Sequence, residues 1–243
     1  MKLHIGCCGF ALPQKTYYQR FRVIEVQQTF YQPPKAATAT RWRSEAPPDF
    51  QFVVKAWQLI THEPSSPTYR RLSKPIPAPL HARYGSFRAT EEVRAAWEVT
   101  RSICEELAAP VVLFQTPASF TPTQAHRAQL ENFFRELPRA GRRLIWEPRG
   151  LWEPREVAAL CGALELVHGV DPLQQATTST GLAYYRLHGL GAPAGSHSDA
   201  QLEKALAACA GFDEVFVLFN NVHMARDAER FRALAQKLGE PER

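Results

Sequence analysis

Short apolar runs alternating with amphipathic stretches predict an α/β chain folded as a TIM-like β/α barrel of eight parallel strands with somewhat irregular helices. Three observations carry that expectation. Runs rich in Val, Ile, Phe and Tyr recur at residues 3–6, 23–31, 50–57, 111–115, 144–149, 166–171, 183–188 and 215–221. Between several of them, apolar residues return at a helical period, and strands separated by helices pair in parallel through crossovers. The length of 243 residues, 45% of them hydrophobic, suits one closed barrel better than an open sheet, so residues 1–243 are read as one domain.

Taken in order, the first run stops at Gly6-Cys7-Cys8-Gly9. The second alternates, with Ile24, Val26 and Phe30 on one face and Glu25, Gln27, Thr29 and Tyr31 on the other. Residues 36–46 make only a weak helix. After the third run comes a basic, proline-rich stretch, residues 63–89, far longer than an ordinary connection and on the face where barrels carry out chemistry. It reads as a functional cover, with a disordered insertion as the plain alternative. Helical faces follow at Val93, Trp97, Thr100, Cys104 and Leu107, and at Leu130, Phe133, Phe134 and Leu137. Thr121-Pro122-Thr123-Gln124 looks like an N-cap, a first-turn proline and a capping-box glutamine for the second of these. Val157, Leu160, Cys161 and Leu164 form the next face. Residues 172–182 have no helical period, so that crossover is predicted to be irregular. Ser198 with Gln201 repeats the capping box ahead of Leu202, Leu206 and Cys209, and Phe231, Leu234 and Leu238 close the chain.

No apolar run approaches the ~20 residues that cross a bilayer, and the first residues lack the shape of a signal peptide. A soluble, cytoplasmic protein without membrane partners is expected. Five cysteines at scattered spacings suggest neither a disulfide framework nor a zinc knuckle. The net charge of +5 is concentrated: residues 63–89 hold Arg70, Arg71, Lys74, Arg83 and Arg88 against Glu63 alone. That is either a solvated loop or a basic rim that attracts an anion.

Strands buried on both faces should be nearly continuous in apolar residues, so polar groups in phase within them need a reason. Alternation turns Glu25, Tyr31, Lys55, Gln115, Glu147, Arg149, Arg186 and His188 toward the barrel interior, several at strand ends, where barrel active sites are built. Two carboxylates face three permanent cations. One reading is an internal ion-pair network that serves only the barrel; the other, favoured here, is a pocket for an anionic ligand.

Several ordered segments carry a family resemblance: Gly6-Cys7-Cys8-Gly9-Phe10, Glu25 with Thr29-Phe30-Tyr31, Phe52 to Lys55, Thr61-His62, Gln115-Thr116-Pro117, Glu147-Pro148-Arg149, Arg186-Leu187-His188-Gly189 and Phe219-Asn220-Asn221. Together they resemble the YecE-like family, also called domain of unknown function 72, over nearly the whole chain. The resemblance implies a β/α-barrel-like fold, adds His62, Asn220 and Asn221 to the site, and brings no activity with it. The chain departs from the family pattern at Cys7-Cys8, where Thr-Ser is common, at Phe10 for Trp, at Gln27 for Asn, and at Gly150, where a His often follows the arginine.

Chemically, Glu147 and His188 are expected as general base and acid, with Lys55 as the third catalytic group. Lys55, Arg149 and Arg186 would bind a phosphate or carboxylate and stabilise developing negative charge. Glu25, Tyr31, His62, Gln115, Trp152, Asn220 and Asn221 complete the substrate-binding set. Trp57 or Trp152 would either stack a sugar or base or simply pack. Gly189, Gly191 and Gly195 precede a helix and suit a phosphate cradle or a flexible loop. No cofactor is named. A divalent metal would need His62, Glu147, Asp171 and His188 to converge without any HxH or HExxH spacing, and is not favoured. Cys7 or Cys8 as nucleophile, and Glu25 with Glu147 as a glycosidase pair, are weaker options. The leading expectation is hydrolase-like acid/base chemistry on an anionic, phosphate-bearing small molecule or nucleotide. The competing one is a non-catalytic binder of nucleotides or nucleic acid.

Overall fold

The computed structural model describes residues 1–189, 195–237 and 239. Its strands are β1 (Lys2–Cys8), β2 (Val23–Val26), β3 (Gln51–Lys55), β4 (Val111–Gln115), β5 (Arg143–Glu147), β6 (Val167–Val170), β7 (Leu182–His188) and β8 (Glu214–Asn220). They form a closed barrel in chain order, and every pairing with a described register is parallel. The helices are α1 (Gln14–Arg20), α2 (Gln28–Tyr31), α3 (Ala36–Glu45), α4 (Gln58–Thr61), α5 (Glu91–Glu106), α6 (Gln124–Glu136), α7 (Pro154–Ala163), α8 (Asp199–Ala207) and α9 (Met224–Lys237). Among the described residues, no helix is long and apolar enough to cross a membrane. The five cysteines are buried and none is in a disulfide. The chain divides into two compact units, Met1–Glu25 with Glu45–Gln51 and Val167–Arg243, and Val26–Ser44 with Phe52–Leu166.

In the first unit, β1 pairs with β2 and β8, and β7 with β6 and β8. Tyr17 is fully buried; its hydroxyl accepts from Cys7 N at 2.8 Å and donates to Val23 O at 2.9 Å, tying α1 to both flanking strands. His4 lies buried in β1, stacked on Phe216 with ring centroids 4.4 Å apart and bonded to Glu214 at 2.7 Å. The capping box of Ser198 and Gln201 opens α8 as expected. No helix separates β6 from β7, in agreement with the missing period over residues 172–182. Leu238 lies outside the described residues. Helix α1, only seven residues long, was not legible as a helical period.

The second unit carries β3, β4 and β5. Its apolar core gathers Phe87, Trp97, Phe114, Phe120, Phe133 and Phe134, with Phe114 and Phe134 meeting edge to face at 5.0 Å. Two expectations fail here. The second run stops being a strand at Val26: Thr29 turns its hydroxyl back to Val26 O at 2.7 Å and also donates to Lys55 O at 2.7 Å, closing the chain into the single turn α2. Side-chain alternation therefore no longer assigns faces to Gln27, Thr29 and Tyr31. The N-cap of α6 is Thr123, whose hydroxyl accepts from His126 N at 3.1 Å; Thr121 instead lends its carbonyl to Thr123 N and to the His126 ring. The weak helix is a full ten residues, burying Ala39 and Trp42.

The stretch 63–89 is ordered, with two 3-10 turns, Pro67–Arg71 and Ala78–Arg83. Tyr69 donates to His62 O at 2.7 Å near its start, and Arg88 pairs with Glu63 at 2.5 Å across its ends. Gly85, Ser86 and Phe87 are consecutive left-handed residues, with φ of 76°, 51° and 54°. Such backbone costs an ordinary side chain about 1–2 kcal/mol, offset at Phe87 by burial in the aromatic core. A Cβ on Gly85 would lie 2.2 Å from His62 O. Gly85→Ala is therefore expected to lower unfolding free energy by at least about 2 kcal/mol and to expose residues 63–89 to proteolysis. A urea midpoint and cleavage rate equal to those of wild type would contradict this anchoring.

Candidate active site

In the first unit the polar cluster grows from the end of β7, where Tyr184, Arg186 and His188 share one face by the two-residue period. Arg186 and Glu25 are both fully buried. Arg186 donates through Nε to Glu25 Oε2 at 2.9 Å and through Nη2 to Oε1 at 3.0 Å, a bidentate pair. Tyr184 adds its hydroxyl to Oε2 at 2.6 Å, and burial, then the Glu25 charge, push its own pKa well above the ordinary value. Arg186 Nη2 also approaches Cys8 Sγ at 3.7 Å, and Nη1 reaches His188 Nε2 at 3.4 Å. Asp171 steadies His188 from the other side, accepting from its backbone N at 3.0 Å and standing 3.4 Å from Nδ1. Burial alone would raise the Asp171 pKa, but hydrogen bonds from the His188 ring, its backbone and Leu173 N outweigh it and hold the carboxyl below its usual value. Thus Glu25 and Arg186, expected to bind substrate, pair with each other, and Arg186 also reaches the His188 ring.

Asn220 ends β8 as the register partner of His188. Asn221 turns away to structural duty, donating to Asp227 Oδ2 at 2.8 Å and to Gly195 O. Of the glycine-rich loop, Gly191 lies outside the described residues. Gly189 and Gly195 pack against each other and residues 221–222, and the Gln201 N–H at the start of α8 is already taken by Ser198. Burial pushes the Cys7 thiol up to about 12, against the lowering effect of Tyr17, which removes the thiolate a nucleophile would need.

The second unit presents the ends of three adjacent strands. Lys55, at the end of β3 and nearly buried, donates to Gln115 Oε1 at 2.6 Å and lies 4.2 Å from the Phe30 ring centroid. Gln115 on β4 is the register partner of Glu147 on β5. Glu147, buried, pairs with the half-buried Arg149 at 2.6 Å. Tyr31 lies under the Arg71 guanidinium at 3.8 Å. His62 packs edge-on against Phe30 at 4.9 Å and shares a 2.8 Å hydrogen bond between Nδ1 and Thr61. Trp152 is built into packing: its N–H donates to Phe120 O at 2.6 Å and its ring meets Trp146 edge-on. A Cβ at Gly150 would fall 2.3 Å from the same Phe120 O, which explains why no side chain occupies that position here. Sequence reasoning missed Tyr184, which left a signal two residues before Arg186 in one strand, and it missed the ring contacts of Phe30 with Lys55 and of Tyr31 with Arg71. Among the described residues, no three His, Cys, Asp or Glu side chains converge as metal ligands would.

The fold is that of a β/α barrel with polar side chains gathered at the carboxyl ends of its strands. The chain belongs to the family described as a protein of unknown function, DUF72, whose model matches residues 12–243. It is similar to a DUF72 family protein from Enterococcus faecalis V583, at 19% identity over 97% of this chain and 98% of that one with a TM-score of 0.71. A DUF72 family protein from Thermotoga maritima MSB8 is likewise similar, at 19% identity over 97% and 100% of the two chains with a TM-score of 0.69. D-psicose 3-epimerase from Clostridium cellulolyticum H10, solved with D-tagatose, shares the barrel at 9% identity over 98% and 99%, with a TM-score of 0.59. No curated protein matches the chain. At these identities the likeness is one of fold.

Two predictions follow from the charges. Removing Arg186 leaves a buried carboxylate without its bidentate counter-ion, so Arg186→Ala should cost about 3–5 kcal/mol in a denaturant titration, and Glu25→Gln in the same background should recover part of it. A loss under about 1 kcal/mol would place the pair outside the stabilising framework. For His62, burial first and the Lys55 charge second lower the pKa from 6.5 to about 3. Between those values the unfolded chain binds a proton that the folded one refuses. The stability due to neutral His62 is full above pH 6.5 and drains away as pH falls toward 3. His62→Phe should flatten the stability–pH slope across that window; parallel slopes would show that His62 is not buried neutral.

Proposed function

We propose that this protein is an enzyme acting on a small phosphate-bearing molecule or nucleotide by acid/base, hydrolase-like chemistry, centred in the second unit on Lys55, Gln115, Glu147 and Arg149. The observation that carries the reading is the placement of two cations and a carboxylate at or just beyond the ends of β3 and β5, with Gln115 on β4 accepting from Lys55 and standing in register with Glu147. Lys55 and Arg149 bind the anion and offset charge that builds up on its oxygens. Glu147 takes the proton of an attacking water. No metal or cofactor is assigned a step.

The non-catalytic reading has its own support. Arg83 is neutralised by Glu92 at 2.8 Å and Arg88 by Glu63, whereas Arg70, Arg71 and Lys74 are exposed and make no ion pair among the described residues. A nucleic-acid backbone would use those three, and its affinity would fall steeply with salt.

The deciding experiment is turnover of a panel of phosphate monoesters and nucleotides by wild type and Glu147→Gln. The enzyme reading expects kcat to fall by about 10²–10⁴-fold with phosphate-ligand binding retained, and expects Lys55→Met to weaken that binding. Wild-type turnover unchanged in Glu147→Gln would remove Glu147 from the mechanism. Salt-sensitive binding of oligonucleotides without turnover of any panel member would favour the non-catalytic reading.

A further inference from the structure

Beyond the strand ends, the second unit has an open pocket of about 520 Å³ lined by Gln27, Gln28, Tyr31, Gln32 and Arg71. No carboxylate lines it. Arg71 covers the Tyr31 ring at 3.8 Å, a contact that restricts its guanidinium and uses none of its N–H donors. Arg71 itself is exposed and makes no ion pair among the described residues. Gln32 has its carbonyl oxygen on Ser73 N at 2.9 Å, which holds the loop beside the pocket. An oriented arginine among primary amides matches a ligand with an anionic head and neighbouring hydroxyl or amide-like groups.

The pocket is also tied to the proposed site. Arg71 lies 3.8 Å from the Tyr31 ring, Tyr31 meets Phe30 edge-on at 5.0 Å, and Phe30 carries the Lys55 ammonium at 4.2 Å. Two cations thus end one row across a pair of aromatic rings, with Lys55 at the strand ends and Arg71 in the amide-lined pocket.

We propose that this pocket is a second anion subsite for the same ligand, so that the substrate class is a small polar molecule bearing two phosphate groups, one held at Lys55 and the other at Arg71. The inference rests on the phosphate-binding reading of Lys55 and narrows it. Sugar bisphosphates and nucleoside bisphosphates share the required chemistry.

The test is calorimetric titration of wild type, Arg71→Met and Lys55→Met with matched ligands: ribose 5-phosphate against ribose 1,5-bisphosphate, and adenosine 5′-monophosphate against adenosine 3′,5′-bisphosphate. Methionine keeps the apolar stem over Tyr31, and a circular-dichroism melt checks that each variant is folded. Wild type should bind at least one bisphosphate at least about tenfold more tightly than its monophosphate, and Arg71→Met should abolish that advantage. The pair showing it identifies the source of the two phosphates. If monophosphates bind in a Lys55-dependent way but bisphosphates gain nothing, or keep their gain in Arg71→Met, the second subsite is wrong and the strand-end site stands. If no phosphate ligand binds wild type, both readings fall.

Discussion

A guanidinium shut away from water must find its counter-charge inside the protein, and Arg186 finds it in Glu25. Desolvating both groups is costly, and the pair is tolerable because nearly every polar direction is used: two parallel bonds to the carboxylate, the Tyr184 hydroxyl on one of its oxygens, the Cys8 sulfur also at Nη2 and the His188 ring at Nη1. Glu25, Cys8 and His188 lie at or next to strand ends, and Tyr184 lies within β7. The requirement to satisfy Arg186 therefore places His188, and Asp171 completes the placement from the end of β6. Within this unit the ion-pair network of the sequence reading is present, and His188 stands at its edge.

The other unit applies the same constraint with less burial. Lys55 meets an amide and an aromatic face, while the Glu147–Arg149 pair reaches partway to solvent. A charged group held by neutral or partly exposed partners gives up less when a ligand arrives than one held by a buried counter-ion. That difference, more than the count of charges, is why the ligand-binding proposal sits on β3, β4 and β5 and not on the Glu25–Arg186 pair.

Much of the barrel was legible because its signals are local. Strand β4 is bounded where its apolar run is bounded, and α8 begins at its capping box. The losses occur where a side-chain hydrogen bond overrides a pattern. Nothing in Thr29-Phe30-Tyr31 distinguishes a continuing strand from a turn until Thr29 bonds back to Val26, and which of two nearby threonines caps α6 depends on whose hydroxyl meets His126 N, which is that of Thr123. Site residues on strands were found by alternation. Arg71 was visible as part of a basic loop, but its place over Tyr31 depends on a contact forty residues apart in the chain, which periodicity cannot express.

The pinning of residues 63–89 at both ends has a consequence for how such a barrel diversifies. With one end held at His62 and Glu63 and the other locked by Phe87 in the aromatic core, the residues between can change in length at a loop-closure cost of only about 0.6 kcal/mol per doubling. That interval contains Arg71. A change of length between the anchors should therefore leave the anchors themselves, and the strand β3 that precedes them, in place.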